Sequence, residues 1–505
     1  MAVNQLKAGV FLNYITIVLH TVGGLLYTPF MLRMLGQSEW GLYSLVASVI
    51  SYLTILDFGF GNATIRYTAK LRTEGKDKEQ YQMFGMFFVL YMVIGIIAFI
   101  GGLALYFNVE NMFGQTMTAY ELERAKIMMI ILVLNLAITF PLSIFGAIIT
   151  AYEDFVFLKT VGIIRIVLNY VVMIALLSMG YKAVAMVVIV SVFNILTLFL
   201  NYIYCKYKLH IQIKFGKFNW SFLKEVSVYS FWIFLNVIMD KIYWSTGQFV
   251  LGAVSGTAAV AIYSVAIRLE AMYMQFSSAV VNVFLPKVTG MVTINESVEK
   301  ISNLFIKTGR IQFVIISFIL SAFIIFGRQF INIWAGEGYE DSFAITLLFF
   351  IALSIPLIQN LGIIILQARN QMKFRSLLYI CIAVVSLLFQ IVLSNKYGGI
   401  GCAVAISSAL LVGQGLIMNI YYHKKQHIDI ISFWKEIAKM SLVPIATVVI
   451  GVVIMNEVEC IKLWQLLLYL IIFTIIYIPL FWFFSMNSYE RTLISNPILS
   501  KIRKK

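Results

Sequence analysis

Residues 84–106 of the chain read FGMFFVLYMVIGIIAFIGGLALY, an apolar run of 23 residues without a charged side chain. An α-helix rises about 1.5 Å per residue, so about 20 such residues cross the ~30 Å hydrocarbon core of a bilayer. Similar runs recur along the whole chain, and no stretch between them is long enough for a folded soluble domain. The pattern predicts fourteen transmembrane helices, near residues 9–31, 41–61, 84–106, 125–150, 157–178, 183–204, 227–250, 257–285, 310–332, 343–366, 376–394, 399–422, 440–456 and 463–485.

The composition of the 505 residues also indicates an all-α polytopic membrane protein. Hydrophobic residues make up 61% of the chain and charged residues only 12%, whereas a soluble domain is about 45–50% apolar and about 25% charged. The cysteines lie far apart, without a CxxC pair, which disfavours a disulfide framework or a zinc site; they are Cys205, Cys381, Cys402 and Cys460. No Walker A, HExxH or Ser-His-Asp pattern is apparent, so ATP-driven export by this chain alone is not indicated. We therefore expect no cofactor.

The distribution of Lys and Arg predicts the orientation. Because fourteen is an even number, both termini lie on the same side of the membrane. With the N-terminus inside, the inner loops and tails hold 28 of the 38 Lys and Arg residues, the outer loops hold 7, and 3 fall within spans. Positively charged loops stay in the cytoplasm, so we expect both termini there. The net charge of +15 then follows from the basic residues of the predicted cytoplasmic loops, and no nucleic-acid partner is needed to explain it.

The chain carries signs of an internal duplication at offsets of 215–220 residues. Three matches recur in order: Tyr43-Ser44 with Asn62 as Tyr263-Ser264 with Asn282, Pro141-Leu142 as Pro356-Leu357, and Leu177-Ser178 as Leu393-Ser394. We interpret the chain as two pseudo-symmetric six-helix lobes, 1–225 and 226–425, followed by a terminal helix pair with a basic tail, 426–505. Transporters built from such repeats place the substrate between the lobes and alternate access by rocking them.

Several ionisable side chains fall at bilayer depth, where an isolated charge is costly and commonly marks a functional site. They are His20, Asp57, Arg165, Asp240, Lys241, Arg268 and Glu270. Two interpretations remain open for each of them. The acids and bases could pair internally and lock helices together, or they could line a hydrated path.

Helical periodicity places polar residues of two spans on continuous faces. At about 100° per residue, one arc of about 80° holds five residues of the eighth span: Ser264, Arg268, Gln275, Ser278 and Asn282. A second arc of about 100° holds five residues of the seventh span: Asn236, Asp240, Tyr243, Trp244 and Gly247. Stripes of this length suit the wall of a hydrated cavity. Glu270 lies about 200° from Arg268, so the two cannot pair along their own helix.

Two motifs near the N-terminus and one in the eighth span carry a family resemblance. They are Leu35-Gly36-Gln37-Ser38-Glu39-Trp40-Gly41-Leu42-Tyr43, then Leu56-Asp57-Phe58-Gly59-Phe60-Gly61-Asn62, and Tyr263-Ser264 with Arg268-Leu269 and Pro286. With the fourteen-span layout, the chain resembles the oligosaccharide repeat-unit flippases. These form the polysaccharide exporter branch of the multidrug/oligosaccharidyl-lipid/polysaccharide (MOP) exporter superfamily, which also contains multidrug antiporters and the lipid II flippase.

The resemblance implies a function and a set of site residues. Similar proteins flip polyprenyl-diphosphate-linked oligosaccharides to the outer leaflet of the bacterial plasma membrane, and other export machinery such as a polymerase is a possible partner. The Arg268-Leu269 pair matches cationic cavity residues of the lipid II flippase, but the first span offers His20 in place of an arginine. We expect Arg268 to engage the diphosphate. The other expected cavity residues are Arg165, Ser264, Gln275, Asn282, Asn236, Tyr243 and Trp244. The candidates for coupling a proton or Na⁺ are His20, Asp57, Asp240 and Glu270, since acids in a dry site can titrate usefully.

Other functions remain as alternatives. A multidrug antiporter of the same superfamily is one, although its relatives usually have twelve spans. The lipid II flippase is another. A membrane glycosyltransferase or polymerase is disfavoured, because the longest outer loop, 107–124, holds only three acidic residues.

Overall fold

The computed structural model describes residues 5–216, 220–281, 284, 288, 290–292, 294, 296–369, 371–458, 462–492 and 495. Within these ranges the backbone is helical almost throughout and contains no β-strand. The helices up to residue 281 are α1 (Gln5–Leu53), α2 (Phe60–Thr73), α3 (Asp77–Phe113), α4 (Ala119–Ala151), α5 (Phe155–Ser178), α6 (Ala183–Tyr207), α7 (Trp220–Trp244), α8 (Thr246–Val254) and α9 (Gly256–Val281). Those after residue 296 are α10 (Val298–Trp334), α11 (Asp341–Ile358), α12 (Leu361–Ala368), α13 (Lys373–Leu410), α14 (Met418–Lys424), α15 (Ile430–Glu457) and α16 (Leu463–Phe484).

The described residues contain eleven helical stretches that are long and apolar enough to cross a membrane. The protein is therefore an all-α polytopic membrane protein, as the sequence predicts. Two of these stretches, Phe11–Thr73 and Lys373–Lys424, contain 63 and 52 residues and each run through two predicted spans. The number of fourteen crossings stays a prediction.

Two glycines turn the chain inside the longest helices. Gly36 (φ 74°, ψ 173°) interrupts α1, and Gly398 (φ 53°, ψ −134°) interrupts α13. Positive φ is readily adopted by glycine and costly for other residues. Each glycine lies between two predicted spans, so the helical segments on its two sides correspond to separate spans.

The chain forms two compact units, Met1–Ser264 and Val265–Lys505. In the first unit α3 packs on α4, α4 on α6, and α1 on α5. Small residues allow α3 and α4 to approach closely, because a Cβ atom on Gly95 would lie 2.7 Å from the carbonyl oxygen of Ala137. Membrane helices commonly pack through such small residues, since no hydrophobic effect drives them together in lipid. The predicted lobe boundaries after residues 225 and 425 stay predictions.

The second unit is built around α10, which packs on α11 and α15, while α11 packs on α13. The terminal helices α15 and α16 bury a cluster with α10 that includes Phe326, Met440 and Tyr477. The Tyr477 hydroxyl group lies 3.0 Å from Oγ of Ser317. A phenol can therefore be buried in this apolar cluster, because its polar atom has a partner.

Two buried glutamates connect the helix ends at the side of the first unit that we predict to face outward. Oε1 of Glu121 accepts hydrogen bonds from Ser38 (2.6 Å) and Thr257 (2.7 Å), and its Oε2 accepts one from the backbone of Thr118 (2.9 Å). Glu39 accepts a hydrogen bond from the Ala183 backbone N–H, 3.2 Å away, at the first turn of α6. These contacts explain Ser38 and Glu39 of the 35–43 motif, since they tie the turn at Gly36 to α4, α6 and α9.

Candidate functional site

The helical path of the second predicted span is interrupted at Asp57. A 3₁₀ turn, Thr54–Asp57, follows α1, and both Phe58 (φ 49°) and Gly59 (φ 75°) adopt left-handed conformations before α2 begins. Non-helical backbone at bilayer depth is tolerated where its polar groups find partners within the protein. The Asp57 carboxylate supplies such partners, because it accepts hydrogen bonds from the backbone N–H groups of Gly59 and Gly61.

Asp57 also contacts side chains from two further helices. The hydroxyl group of Tyr91 on α3, which is fully buried, donates to Oδ1 of Asp57 over 2.9 Å. Ser143 on α4 forms a hydrogen bond with the same tyrosine hydroxyl. Asp57, Tyr91 and Ser143, here called the Asp57 cluster, thus join α3 and α4 to the interruption. The half-buried carboxylate within a chain of hydroxyl groups is chemically suited to hold a proton or a monovalent cation.

A second interruption lies beside the first. Helices α7 and α8 are separated at Ser245, and the hydroxyl group of Ser51 donates to Oγ of Ser245 over 3.1 Å. The hydroxyl groups of Tyr52 and Thr246 lie 2.5 Å apart. The structure therefore brings Ser51 and Tyr52 of the second predicted span against the seventh span.

The three predicted cavity residues of the seventh span and the coupling candidate Asp240 differ in exposure. Asp240 is exposed, Asn236 and Trp244 are half-buried, and Tyr243 is 3% exposed. The rings of Tyr243 and Trp244 lie 6.3 Å apart. Tyr243 is buried and Trp244 is half-buried, so Trp244 is the more accessible aromatic residue of this face.

Helix α9 carries the predicted face of the eighth span as one continuous helix. Arg268 is half-buried and Gln275 exposed, whereas Ser264 is 4% exposed and its hydroxyl group donates to the carbonyl oxygen of Ala261 over 2.9 Å. Glu270 is 2% exposed on a different side of the helix. Asn282 and Pro286 lie outside the described residues. Arg268 is thus the central charged group of this face.

The remaining predicted residues of the described ranges lie on α5 and α1. Arg165 is half-buried on α5, and His20 is exposed on α1. Within the described ranges no group of three or more His, Cys, Asp or Glu residues is placed to hold a metal ion. Cys205, Cys381 and Cys402 are free thiols, and Cys460 is outside the described ranges.

The second unit contains a groove that the sequence analysis missed. It has a volume of about 360 Å³ and is bordered by α10, α11 and α15. Its walls are mainly aliphatic and aromatic, with serine hydroxyl groups between them; the lining residues are Phe313, Ile316, Ser317, Leu320, Ser321, Ile324, Ser354, Ile355, Ile358, Trp434, Ile437, Ser441, Pro444, Ile445, Val448 and Val449. Ile445 and Val449 are each 60% exposed, so the groove opens to the surface of the unit. We call it the α10–α15 groove.

Helix α9 connects Arg268 with this groove. The hydroxyl group of Tyr273 lies 2.8 Å from Oγ of Ser354 and donates to the carbonyl oxygen of Ile316 over 3.3 Å, and both partners line the groove. Tyr273 follows Arg268 by five residues, a rise of about 7.5 Å along the helix. A cationic side chain and an apolar groove therefore lie on adjoining elements of the same unit.

Residues 30–344 match the family described as polysaccharide biosynthesis protein. The chain belongs to this family. No curated protein sequence matches the chain.

The fold of this polysaccharide biosynthesis protein is similar to solved structures of the MOP superfamily. The lipid II flippase MurJ, in an inward closed conformation, aligns with a TM-score of 0.73 and 16% identity, over 96% of this chain and 99% of that one. An inward-facing multidrug resistance MATE family transporter of the MOP superfamily aligns with a TM-score of 0.60 and 16% identity, over 83% of this chain and 96% of that one. A MOP superfamily transporter from Pyrococcus furiosus aligns with a TM-score of 0.54 and 15% identity, over 83% of this chain and 96% of that one. The resemblance in fold to structures of this superfamily is confirmed, whereas the exporter branch stays a prediction.

Proposed function

We propose that this protein of the polysaccharide biosynthesis family is a flippase for a polyprenyl-diphosphate-linked oligosaccharide. It moves the lipid from the cytoplasmic to the outer leaflet of the bacterial plasma membrane by alternating access, with both termini in the cytoplasm. The movement uses an ion gradient, and the chain transports its substrate without changing its covalent structure. Further partners are the enzymes that polymerise the exported repeat unit.

The presence of Arg268 and of the α10–α15 groove on adjoining elements of the second unit is the observation that carries this proposal. A lipid-linked glycan has an anionic diphosphate between an apolar chain and polar sugars. The planar guanidinium group of an arginine suits phosphate oxygens, because it donates parallel hydrogen bonds to two of them. The groove suits a segment of the isoprenoid chain, since apolar surface leaves water favourably. Tyr273 places the two features on adjoining elements.

The sugars require a different environment. Their hydroxyl groups would lose water without replacement if they crossed hydrocarbon. Exposed or half-buried polar side chains on α7 and α9 can replace those hydrogen bonds; they are Asn236, Trp244, Arg268 and Gln275. Arg165 supplies a second candidate contact for phosphate. Ser264 and Tyr243 are buried, so they can contact the sugars only in a conformation that exposes their side chains.

The coupling group of this mechanism is Asp57. Its carboxylate lies at the interruption between α1 and α2 and is held by Tyr91. A gain or loss of a proton or cation there changes the charge at a point where the backbone is already non-helical. Asp240, Glu270 and His20 are the other candidates for this role.

A liposome assay tests the proposal. The purified protein is reconstituted with a lipid-linked oligosaccharide, and a membrane-impermeant glycosidase outside the vesicles reports translocation. Arg268→Ala should slow translocation at least about tenfold, because each hydrogen bond to a charged group contributes about 1.5–3 kcal/mol.

Arg328→Ala serves as the matched control in the same unit, since its guanidinium group lies 5.9 Å from the ring of Phe343. We expect it to leave the rate unchanged. A wild-type rate for Arg268→Ala would contradict the diphosphate assignment. If the wild-type protein moved no glycan lipid but extruded a cationic drug, the multidrug antiporter would be the better description.

A further inference from the structure

Arg310 forms a buried ionic centre at one end of the α10–α15 groove. Its guanidinium group is 4% exposed and donates to both carboxylate oxygens of Glu490, at 2.5 and 2.9 Å. It also donates to Oε2 of Glu436 over 2.6 Å and to the carbonyl oxygen of Ser485 over 3.2 Å. Lys439 donates to the other oxygen of Glu436 over 2.7 Å. Two cations and two carboxylates balance, so this centre holds no net charge to attract an anionic ligand.

The ionic centre connects three elements of the second unit through charge-assisted hydrogen bonds. Arg310 belongs to α10, Glu436 to α15, and Glu490 to the segment that follows α16. The hydroxyl group of Ser485 adds a hydrogen bond to the carbonyl oxygen of Met440 over 3.2 Å. The two terminal helices are thereby fixed to α10 at this end.

The position of Arg310 relates it directly to the groove. Arg310 precedes the lining residues Phe313 and Ser317 by three and seven positions, so it extends the same face of α10 by one turn. Glu436 directly precedes Ile437, which lines the opposite wall. The Arg310–Glu436 ion pair therefore links α10 and α15 near the end of the groove that Phe313 and Trp434 border.

We propose that Arg310 is a positioning residue that sets the width of the α10–α15 groove for a long isoprenoid chain. The inference rests on the proposed function, in which this groove receives the apolar tail. With the ion pair intact, the walls stay close enough to contact a chain along the groove. Without it, α15 can move away from α10, and the aliphatic contacts with the tail are lost while the head-group contacts remain.

Glu436→Gln is the informative variant. It weakens the connection between α10 and α15 but leaves Arg310 paired with Glu490, so the terminal segment keeps its buried ion pair. Arg491→Gln is the matched control. Arg491 lies in the same segment after α16. Its guanidinium group donates to the carbonyl oxygens of Trp482 and Phe483, at the end of α16, over 2.9 Å each.

The experiment measures dissociation constants of undecaprenyl diphosphate and farnesyl diphosphate for the full chain in nanodiscs by native mass spectrometry. Glu436→Gln should weaken binding of the long-chain lipid about tenfold, the equivalent of about two buried methylene groups. It should leave binding of the short-chain lipid unchanged, and Arg491→Gln should change neither. A general loss of structure would weaken both lipids, so the difference between chain lengths is the diagnostic result.

Equal weakening of the binding of both lipids, or no change in the binding of either, would overturn the positioning role of Arg310 but leave the proposed function standing. Failure of the wild-type protein to bind either lipid would overturn the proposed function, and this inference with it.

Discussion

The hydroxyl group of Tyr91 lies 2.9 Å from Oδ1 of Asp57 and donates to it across the interruption between α1 and α2. Tyr91 is fully buried, and Ser143 contacts the same hydroxyl group. The interruption is therefore stabilised from α3 and α4 as well as by the local backbone. A change at Tyr91 should be felt both in stability and in transport.

Tyr91→Phe tests the stability of the interruption. The variant removes the hydroxyl donor and leaves Asp57 with its two backbone donors. A hydrogen bond to a charged group contributes about 1.5–3 kcal/mol, so we expect the free energy of unfolding in detergent to fall by about that amount. Tyr106→Phe, on the same helix beside Phe107, is the control and should change it by less than about 0.5 kcal/mol. Equal stability of the two variants would show that the hydroxyl group of Tyr91 contributes nothing.

Asp57→Asn tests coupling. The amide oxygen can still accept the hydrogen bond from Tyr91, but the side chain can neither bind a proton nor carry a negative charge. We expect translocation in liposomes to lose its dependence on an imposed H⁺ or Na⁺ gradient, while binding of the lipid-linked substrate is retained. A variant whose rate still responds to the gradient would transfer the role to Asp240, Glu270 or His20.

Glu121→Gln tests the buried connection at the predicted outer end of the first unit. Glu121 accepts hydrogen bonds from Ser38, Thr118 and Thr257, and glutamine keeps its shape but introduces an NH₂ group where these donors point. We expect a loss of about 1–3 kcal/mol in the free energy of unfolding, because donors are left without an acceptor. The exposed neighbour Glu123, changed to Gln, should stay within about 0.5 kcal/mol of the wild type. A similar effect of the two changes would argue against a special role for the buried carboxylate.

The helices could be predicted from the sequence because their signal is local. The predicted span 183–204 corresponds to α6, Ala183–Tyr207, and 463–485 to α16, Leu463–Phe484. Long apolar runs need no distant partner to become helical in lipid, since each backbone group is satisfied within the helix. The interruptions of the helices could not be predicted, because they depend on contacts between residues far apart in the sequence. The predicted span 227–250 continues through Ser245, whose hydroxyl group is paired with Ser51, 194 residues away.

For the candidate site, the sequence predicts which residues share a helix face but not which contacts their side chains make. Periodicity put Ser264 and Arg268 on one side of α9, but it could not show that the hydroxyl group of Ser264 bonds to its own helix. Arg310 is the first residue of the predicted span 310–332, and nothing nearby in sequence reveals a burial created by Glu436 and Glu490. These partners are 126 and 180 residues away. Long-range ion pairs of this kind need the tertiary structure.

Gly41→Ala tests the close approach of α1 and α9 at the 35–43 motif. A Cβ atom on Gly41 would overlap the backbone carbonyl group of Thr257, so the helices must separate or the side chain must strain. Overpacking of this kind costs about 1–3 kcal/mol, which we expect as a lower free energy of unfolding. Gly162→Ala on α5 is the control, because open space surrounds its Cβ position and alanine favours helix. Unfolding in detergent should distinguish the two, and a neutral Gly41→Ala would contradict the packing.

The start of α15 gives a prediction about pH. Asp429 precedes the helix, and hydrogen bonds from the side chain and the backbone N–H of Ser432, the latter at 2.9 Å, hold the pKa of its carboxyl group below the ordinary value. The unfolded chain binds its proton near pH 3.9. The contribution of Asp429 to stability is therefore complete above that pH and is lost as the pH falls through the lower pKa of the folded state.

Two substitutions separate the capping and charge effects of Asp429. Asp429→Ala should lower the free energy of unfolding by about 0.5–2 kcal/mol at neutral pH, because the N-cap acceptor is lost. Asp429→Asn retains an acceptor but cannot titrate, so its stability should fall less steeply than that of the wild type between about pH 5 and pH 3. The measurement is unfolding in a non-ionic detergent across this range. Glu337→Gln, at an exposed site between α10 and α11, controls for the removal of one negative charge and should keep the wild-type slope. An Asp429→Asn variant as acid-sensitive as the wild type would show that the negative charge of Asp429 does not contribute to the stability of the helix start.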